Sequence, residues 1–168
     1  MNSFMSESTV KNVNFDYIFN EIKPITEYGL KAKQEARPFV RGQEENLKTE
    51  FNKIRAFIES RQRRDIIDIL KHIKNILGTI HRAKNSQVLD EVELFEIKNF
   101  LLSIEKLDKI LRGISNTDIK LLQLTPLPQL YKLLDPADEK LNTFYIYDDY
   151  SQKLKEIRNK KRQIEKTV

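Results

Sequence analysis

Residues 90–113 read DEVELFEIKNFLLSIEKLDKILRG, and their spacing decides the fold class. Leu94, Ile97, Leu101, Ile104, Leu107 or Asp108, and Leu111 recur at intervals of three and four, the period of a helix that lays a narrow seam against a neighbour. Phe95 and Phe100 widen that seam. Asp90 has the side chain that accepts a first-turn amide at a helix start, and Gly113 the backbone freedom that closes one. With only four Gly and five Pro in 168 residues, a many-stranded sandwich or barrel lacks its turns. The chain is expected to be all-α, a multi-helix core followed by a long C-terminal lever-type helix.

Upstream, residues 1–13 read as a flexible polar leader, and residues 14–147 as the helical core. Asn14 is placed to cap a helix carrying Phe15, Ile18, Phe19 and Ile22 on one side. Pro24 ends that run and suits the first turn of a second helix holding Ile25, Tyr28 and Ala32. Ala36–Phe39 is a break, because the residue before Pro38 avoids helical angles. A third helix is expected from about Gln43 to Ser60, with Leu47, Phe51, Ile54 and Ile58 as a buried stripe. After the basic knot Arg61–Arg64, Ile66 to Ile80 keeps helical spacing and predicts one helix, bent near Gly78. Ala83–Ser86 is a polar connection.

Downstream, residues 116–124 predict a short helix, and Leu130, Tyr131, Leu133 and Leu134 another turn or two between the prolines 126, 128 and 136. Residues 141–147, rich in aromatic and β-branched side chains, predict a small extended pair. Then Tyr147, Tyr150, Leu154, Ile157, Lys161, Ile164 and Val168 alternate at three and four, the seam of a helix that packs on a partner. Residues 148–168 therefore read as the start of a lever helix. No capping residue follows, so this expectation includes a continuation beyond Val168.

Composition bounds the function. Cysteine is absent, which excludes thiolate chemistry and favours a cytoplasmic setting. The N-terminus has no basic, apolar signal pattern, and no apolar run approaches the ~20 residues of a membrane span, so no membrane role is expected. The glycines at 29, 42, 78 and 113 are isolated, so no phosphate-cradling loop is present. His72 and His81 lack metal-ligand spacing, and no catalytic triad is supported. Asp135, Asp138, Asp148 and Asp149 are spread along the chain, with Asp148 or Asp149 read as a helix cap rather than a general acid. No catalytic, cofactor-binding or metal-ligating residue is expected, and the chain is not expected to be an enzyme.

The net charge of +5 permits an acidic partner. Between Lys153 and Lys166 lie seven Lys/Arg and two Glu. Such a helix can follow a phosphate backbone, with Lys160, Lys161 and Arg162 as the candidate DNA-proximal residues. It can equally be a solvated arm.

The stretch DDYSQKLKEIR, residues 148–158, resembles the D-x-A-S-x-x-L-x-x-I-R signature of the MutS family. Asp148, Ser151, Leu154, Ile157 and Arg158 match, and Tyr150 replaces the usual small residue. Phe15-Asp16-Tyr17-Ile18, Pro38, Val88-Leu89 with Glu93-Leu94, and Leu127-Pro128-Gln129-Leu130 resemble further family features in the same order. The likeness spans about residues 14–168 and is greatest to the recombination-suppressing branch. Phe19-Asn20-Glu21 has the form of the family's mismatch wedge, but no glycine precedes it, and Phe19 is expected to pack in the core. The resemblance implies an all-α core with the base of a lever, which in complete members leads to a DNA-gripping clamp and a dimeric ATPase. It implies ATP and Mg in the parent protein, and none in this chain. The implied partners are the clamp and ATPase domains of the same chain, DNA, and a second copy in a full-length homodimer. Two rival readings are a helical scaffold that oligomerises through Leu154, Ile157 and Ile164, and a basic-helix DNA-binding module.

Overall fold

A computed structural model describes residues 9, 12–114, 124–140 and 145–167. Its described residues are all-helical and contain no strand: α1 (Phe15–Glu21), α2 (Glu27–Glu35), α3 (Glu44–Glu59), α4 (Arg63–Lys71), α5 (Leu77–Lys84), α6 (Glu91–Gly113), α7 (Pro128–Leu134), a 3₁₀ turn (Asp148–Tyr150) and α8 (Gln152–Thr167). None of these helices is long and apolar enough to cross a membrane.

The hub is α6. Its start is fixed by a capping box: the Glu93 amide donates to Asp90 Oδ1 at 2.8 Å, and the Asp90 amide donates to Glu93 Oε2 at 3.0 Å. Two first-turn donors are satisfied reciprocally, worth about 1 kcal/mol. Leu101 and Leu102 of α6 bury against Tyr131 of α7, with Ile97 and Leu134 closing the cluster. On another side α4 packs on α6, burying Ile66. Polar ties join the shell to the hub: Lys74 donates to Glu96 at 2.8 Å and Arg82 to Glu93 at 2.7 Å. The α2 helix is pinned by Tyr28, whose hydroxyl accepts the buried Ile76 amide at 3.0 Å while its ring meets Phe100.

Several boundaries differ from the sequence pattern, each for a local reason. Asn14 sits at φ 50 with no side-chain cap, so it does not cap α1. The α2 helix starts at Glu27 because Thr26 Oγ1 accepts the Gly29 amide at 2.9 Å, which leaves Pro24 outside. The expected single helix from Ile66 to Ile80 is two helices, broken at His72–Ile76 rather than at Gly78. The spacing of Ile73, Ile76, Leu77 and Ile80 runs through the break: Ile76 is buried although it lies outside both helices, with its amide held by the Tyr28 hydroxyl. Residues 116–123 of the expected helix and residues 141–144 of the expected extended pair fall outside the described residues, Leu124 lies in no helix, and Tyr145–Tyr147 form no strand.

The largest correction concerns α3. Its stripe was expected to be buried, yet Phe51, Ile54 and Ile58 are 59%, 53% and 56% exposed. What α3 turns inward, against α4, is Ala56 with half-buried Leu47, Lys53 and Phe57. Periodicity identifies an apolar face; it does not supply a neighbour for it. Phe19, in contrast, is half-buried, stacked on Phe15 and covered by the Lys33 ammonium at 4.8 Å.

Candidate functional site

Three residues of the 148–158 signature, Asp148, Ser151 and Arg158, come together at one joint, where α8 leaves the core. The joint begins at the end of α7. Asp135 follows that helix and is 1% exposed. Its Oδ2 accepts the Tyr131 hydroxyl at 2.7 Å and the Lys140 amide at 2.9 Å, and its Oδ1 accepts the Glu139 amide at 3.2 Å. The backbone wraps around the carboxylate, with Asp138 and Lys140 both in the left-handed region at φ 51 and 52. Such angles cost of order 1 kcal/mol each for side chains of this kind, a cost the satisfied carboxylate offsets.

Burial pushes the Asp135 carboxyl up, but donation from Tyr131, the proximity of Tyr147 and the two amides outweigh it and hold the group below its ordinary value. Burial, then the neighbouring Asp135 charge, pushes the Tyr131 and Tyr147 phenols up. The two rings are held differently. Tyr131 donates a short hydrogen bond, whereas the buried Tyr147 hydroxyl borders the carboxylate without a partner at bonding geometry.

Tyr147 lies edge-on to Tyr145 and Tyr150, with ring centroids 5.0 and 5.7 Å away. The Tyr150 hydroxyl donates to the Leu134 carbonyl at 2.7 Å, fastening the 3₁₀ turn to the last turn of α7. Tyr150 is the residue that departs from the family signature, and here its ring and hydroxyl form the contact between turn and core.

From the other side, Arg158 reaches back two turns of α8. Its Nη1 donates to Asp148 Oδ1 at 2.5 Å and to the Ile146 carbonyl at 2.7 Å, and the guanidinium lies 5.3 Å from the Tyr145 ring centre. The hydrogen bond to Asp148 raises the Arg158 pKa. Arg162 adds a longer contact to Asp148 Oδ2 at 3.6 Å. Asp148 or Asp149 was expected as the cap of α8; both lie in the 3₁₀ turn before it, and Asp148 anchors Arg158 instead. Ser151 stands at the cap position, its carbonyl accepting the Lys155 amide at 3.1 Å and its hydroxyl lying 3.4 Å from the Leu154 amide.

The matched residues thus divide. Asp148, Ser151 and Arg158 meet at the joint and Leu154 is half-buried above it, while Ile157 is exposed. Lys160, Lys161 and Arg162 lie further along α8 and are exposed, with Lys161 3.6 Å from Glu165. From Asn159 to Lys166 every side chain is exposed. The helix carries seven basic and two acidic residues, a surplus of five that equals the net charge of the whole chain.

Among the described residues no His, Asp and Glu side chains converge as a metal-ligand set. His72 is exposed, with Nδ1 2.7 Å from the Asp68 carbonyl of its own helix. Comparison with known protein families, curated proteins and solved structures finds no match to this chain.

Proposed function

We propose that this chain is the core and lever base of a MutS-like DNA repair or recombination ATPase, a structural and coupling element in a cytoplasmic protein. The clamp and the ATPase, with its ATP and Mg, belong to the parent chain beyond Val168, and the parent acts on DNA as a homodimer. The carrying observation is that Asp148, Ser151 and Arg158, three of the five matched signature residues, meet in one joint between the core and a projecting helix. A lever needs that: a helix whose base is clamped, so that force along it reaches the core rather than being lost in a hinge. In this reading the role of the chain is mechanical, and catalysis is assigned to the ATPase of the parent. The test is the reading frame past the Val168 codon. A continuing frame that encodes a Gly-x-x-x-x-Gly-Lys-Ser/Thr loop supports the reading; a stop codon at that point overturns it.

The concentration of charge on α8 favours one second reading, direct DNA binding by the arm. Replacing Lys160, Lys161 and Arg162 by Gln then weakens duplex binding and lowers its salt slope by up to about three. Absence of binding by the unaltered chain at low salt removes this reading.

A further inference from the structure

The apolar edge of α3 faces away from the rest of the molecule. Phe51, Ile54 and Ile58 are each more than half exposed, whereas Lys53, Ala56 and Phe57 lie on the side that meets α4. We propose that a second copy of this chain covers that edge, laying its own α3 alongside in parallel, so that α3 is the interface of a two-fold homodimer. The inference is independent of the lever reading, since none of these residues belongs to the joint at 148–158.

Spacing and charge both point to this occupant. Leu47, Phe51, Ile54 and Ile58 follow one another at four, three and four, the a and d positions of a two-stranded coiled coil. In a parallel pair each of them meets its own counterpart, and the g position of one helix faces the e position of the other. Glu50 stands at g and Arg55 at the following e, so two-fold symmetry forms the Glu50–Arg55 pair twice. Glu50 accepts Lys53 of its own helix through Oε1, and a carboxylate keeps a second oxygen for a guanidinium. Arg55 is exposed on the opposite flank of the apolar edge.

Other pairings fail the same charge test. An antiparallel α3 pair sets Lys48 of one copy beside Arg55 of the other, again twice, and like charges there repel. The α8 arm of a second copy would bring seven cations against Lys48 and Arg55. The parallel pair alone joins opposite charges along the apolar contact. With 16 residues, α3 spans little more than two heptads. It covers less than the ~800 Å² per partner of a standard interface, which places the dimer in the weak, exchanging class.

Sedimentation equilibrium of the whole chain, from about 10 µM to about 1 mM, reads the self-association. The expected result is a monomer–dimer equilibrium with its midpoint inside that range. Phe51→Glu, at an exposed position, keeps the helical circular-dichroism signal and weakens dimerisation roughly tenfold or more. Glu50→Arg and Arg55→Glu each weaken it several-fold by setting like charges across the contact, and the double variant regains the affinity of the unaltered chain. Ile157→Glu, in α8, leaves it unchanged. A chain that stays monomeric to the top of the range overturns the proposal and leaves the edge to a different partner. So does a dimer that survives Phe51→Glu, one lost in Ile157→Glu, or a double variant no tighter than the single ones.

Discussion

The two ends of this molecule solve opposite problems. Around α6 and α7 the chain hides polar groups: Asp135, Lys98, Asp108 and the Tyr147 hydroxyl all lie in the interior. Along α8 it does the reverse and presents Ile157 and Ile164 to solvent among seven cations. The hub stands by burial and by hydrogen bonds to the two carboxylates it encloses, Asp108 and Asp135. The arm is held by its base contacts, its own backbone ladder and exposed pairs such as Gln152–Glu156 and Lys161–Glu165, and a free helix of this length is marginal in water. Stability should therefore be concentrated at one end, and the two ends should respond differently to the same kind of substitution.

The widest separation is expected from truncating aliphatic side chains. Leu102→Ala, in the buried cluster, should lower the unfolding free energy by about 3 kcal/mol, while Ile164→Ala in the arm should stay within about 0.5 kcal/mol. Urea denaturation measures both, and equal effects would break the comparison.

Next comes Asp135→Ala, which strands the Tyr131 hydroxyl and two amides in the interior at about 2–3 kcal/mol. The charge has its own signature. Because the folded Asp135 pKa lies below the ordinary 3.8, its contribution is present above that value and disappears as pH falls below it. Asp135→Asn should flatten that acid limb of the stability–pH curve. The raised phenols act at the other extreme: the unfolded chain ionises first, so stability declines as pH rises above about 10. That alkaline limb should shrink in Tyr131→Phe.

Arg158→Ala tests the joint itself. It should leave the denaturation midpoint nearly unchanged while hydrogen exchange in α8 accelerates several-fold and the hub amides keep their protection. Restored protection in the swapped pair Asp148→Arg, Arg158→Asp would assign the effect to this contact. A midpoint that drops as far as in Leu102→Ala would mean the arm is part of the hub.

The smallest effect has the opposite sign. Tyr147→Phe removes a buried hydroxyl without a partner and should stabilise the fold by up to about 1 kcal/mol, read as a small rise in melting temperature. A clear loss would show that the hydroxyl donates to Asp135 after all.

How much of this could be read from the residues follows the same division. The α6 helix was legible because its period and its Asp90 cap are local signals that agree, whereas Gly113 is its last helical residue rather than a left-handed cap, and Ile114 closes it in extended backbone. The Asp148–Arg158 pairing was legible only as a pattern of letters; its chemistry depends on a 3₁₀ turn that brings position 148 back over position 158. Lys98 and Asp135 were missed. A lysine in an apolar-periodic helix reads as part of the solvated face, although here it stands one turn before Leu101 and Leu102 and shares their interior. Asp135, between two leucines and a proline, reads as a loop acid. A tyrosine four residues before it was the available signal, since that spacing puts the hydroxyl within reach of the carboxylate. The α3 stripe failed in the other direction: its pattern was read correctly, and its burial depended on a neighbour that its period alone does not specify.

The charge surplus of α8 has an electrical consequence for the whole molecule. Sixteen helical residues extend about 24 Å, more than two Debye lengths at 0.1 M salt, where the length is about 10 Å. The described body and the tip of the arm therefore do not sense one another's charge under ordinary ionic conditions. Below about 0.01 M salt, where the Debye length grows to about 30 Å, the surplus becomes a dipole of the entire particle. It then turns toward a polyanion arm-first before any contact is made.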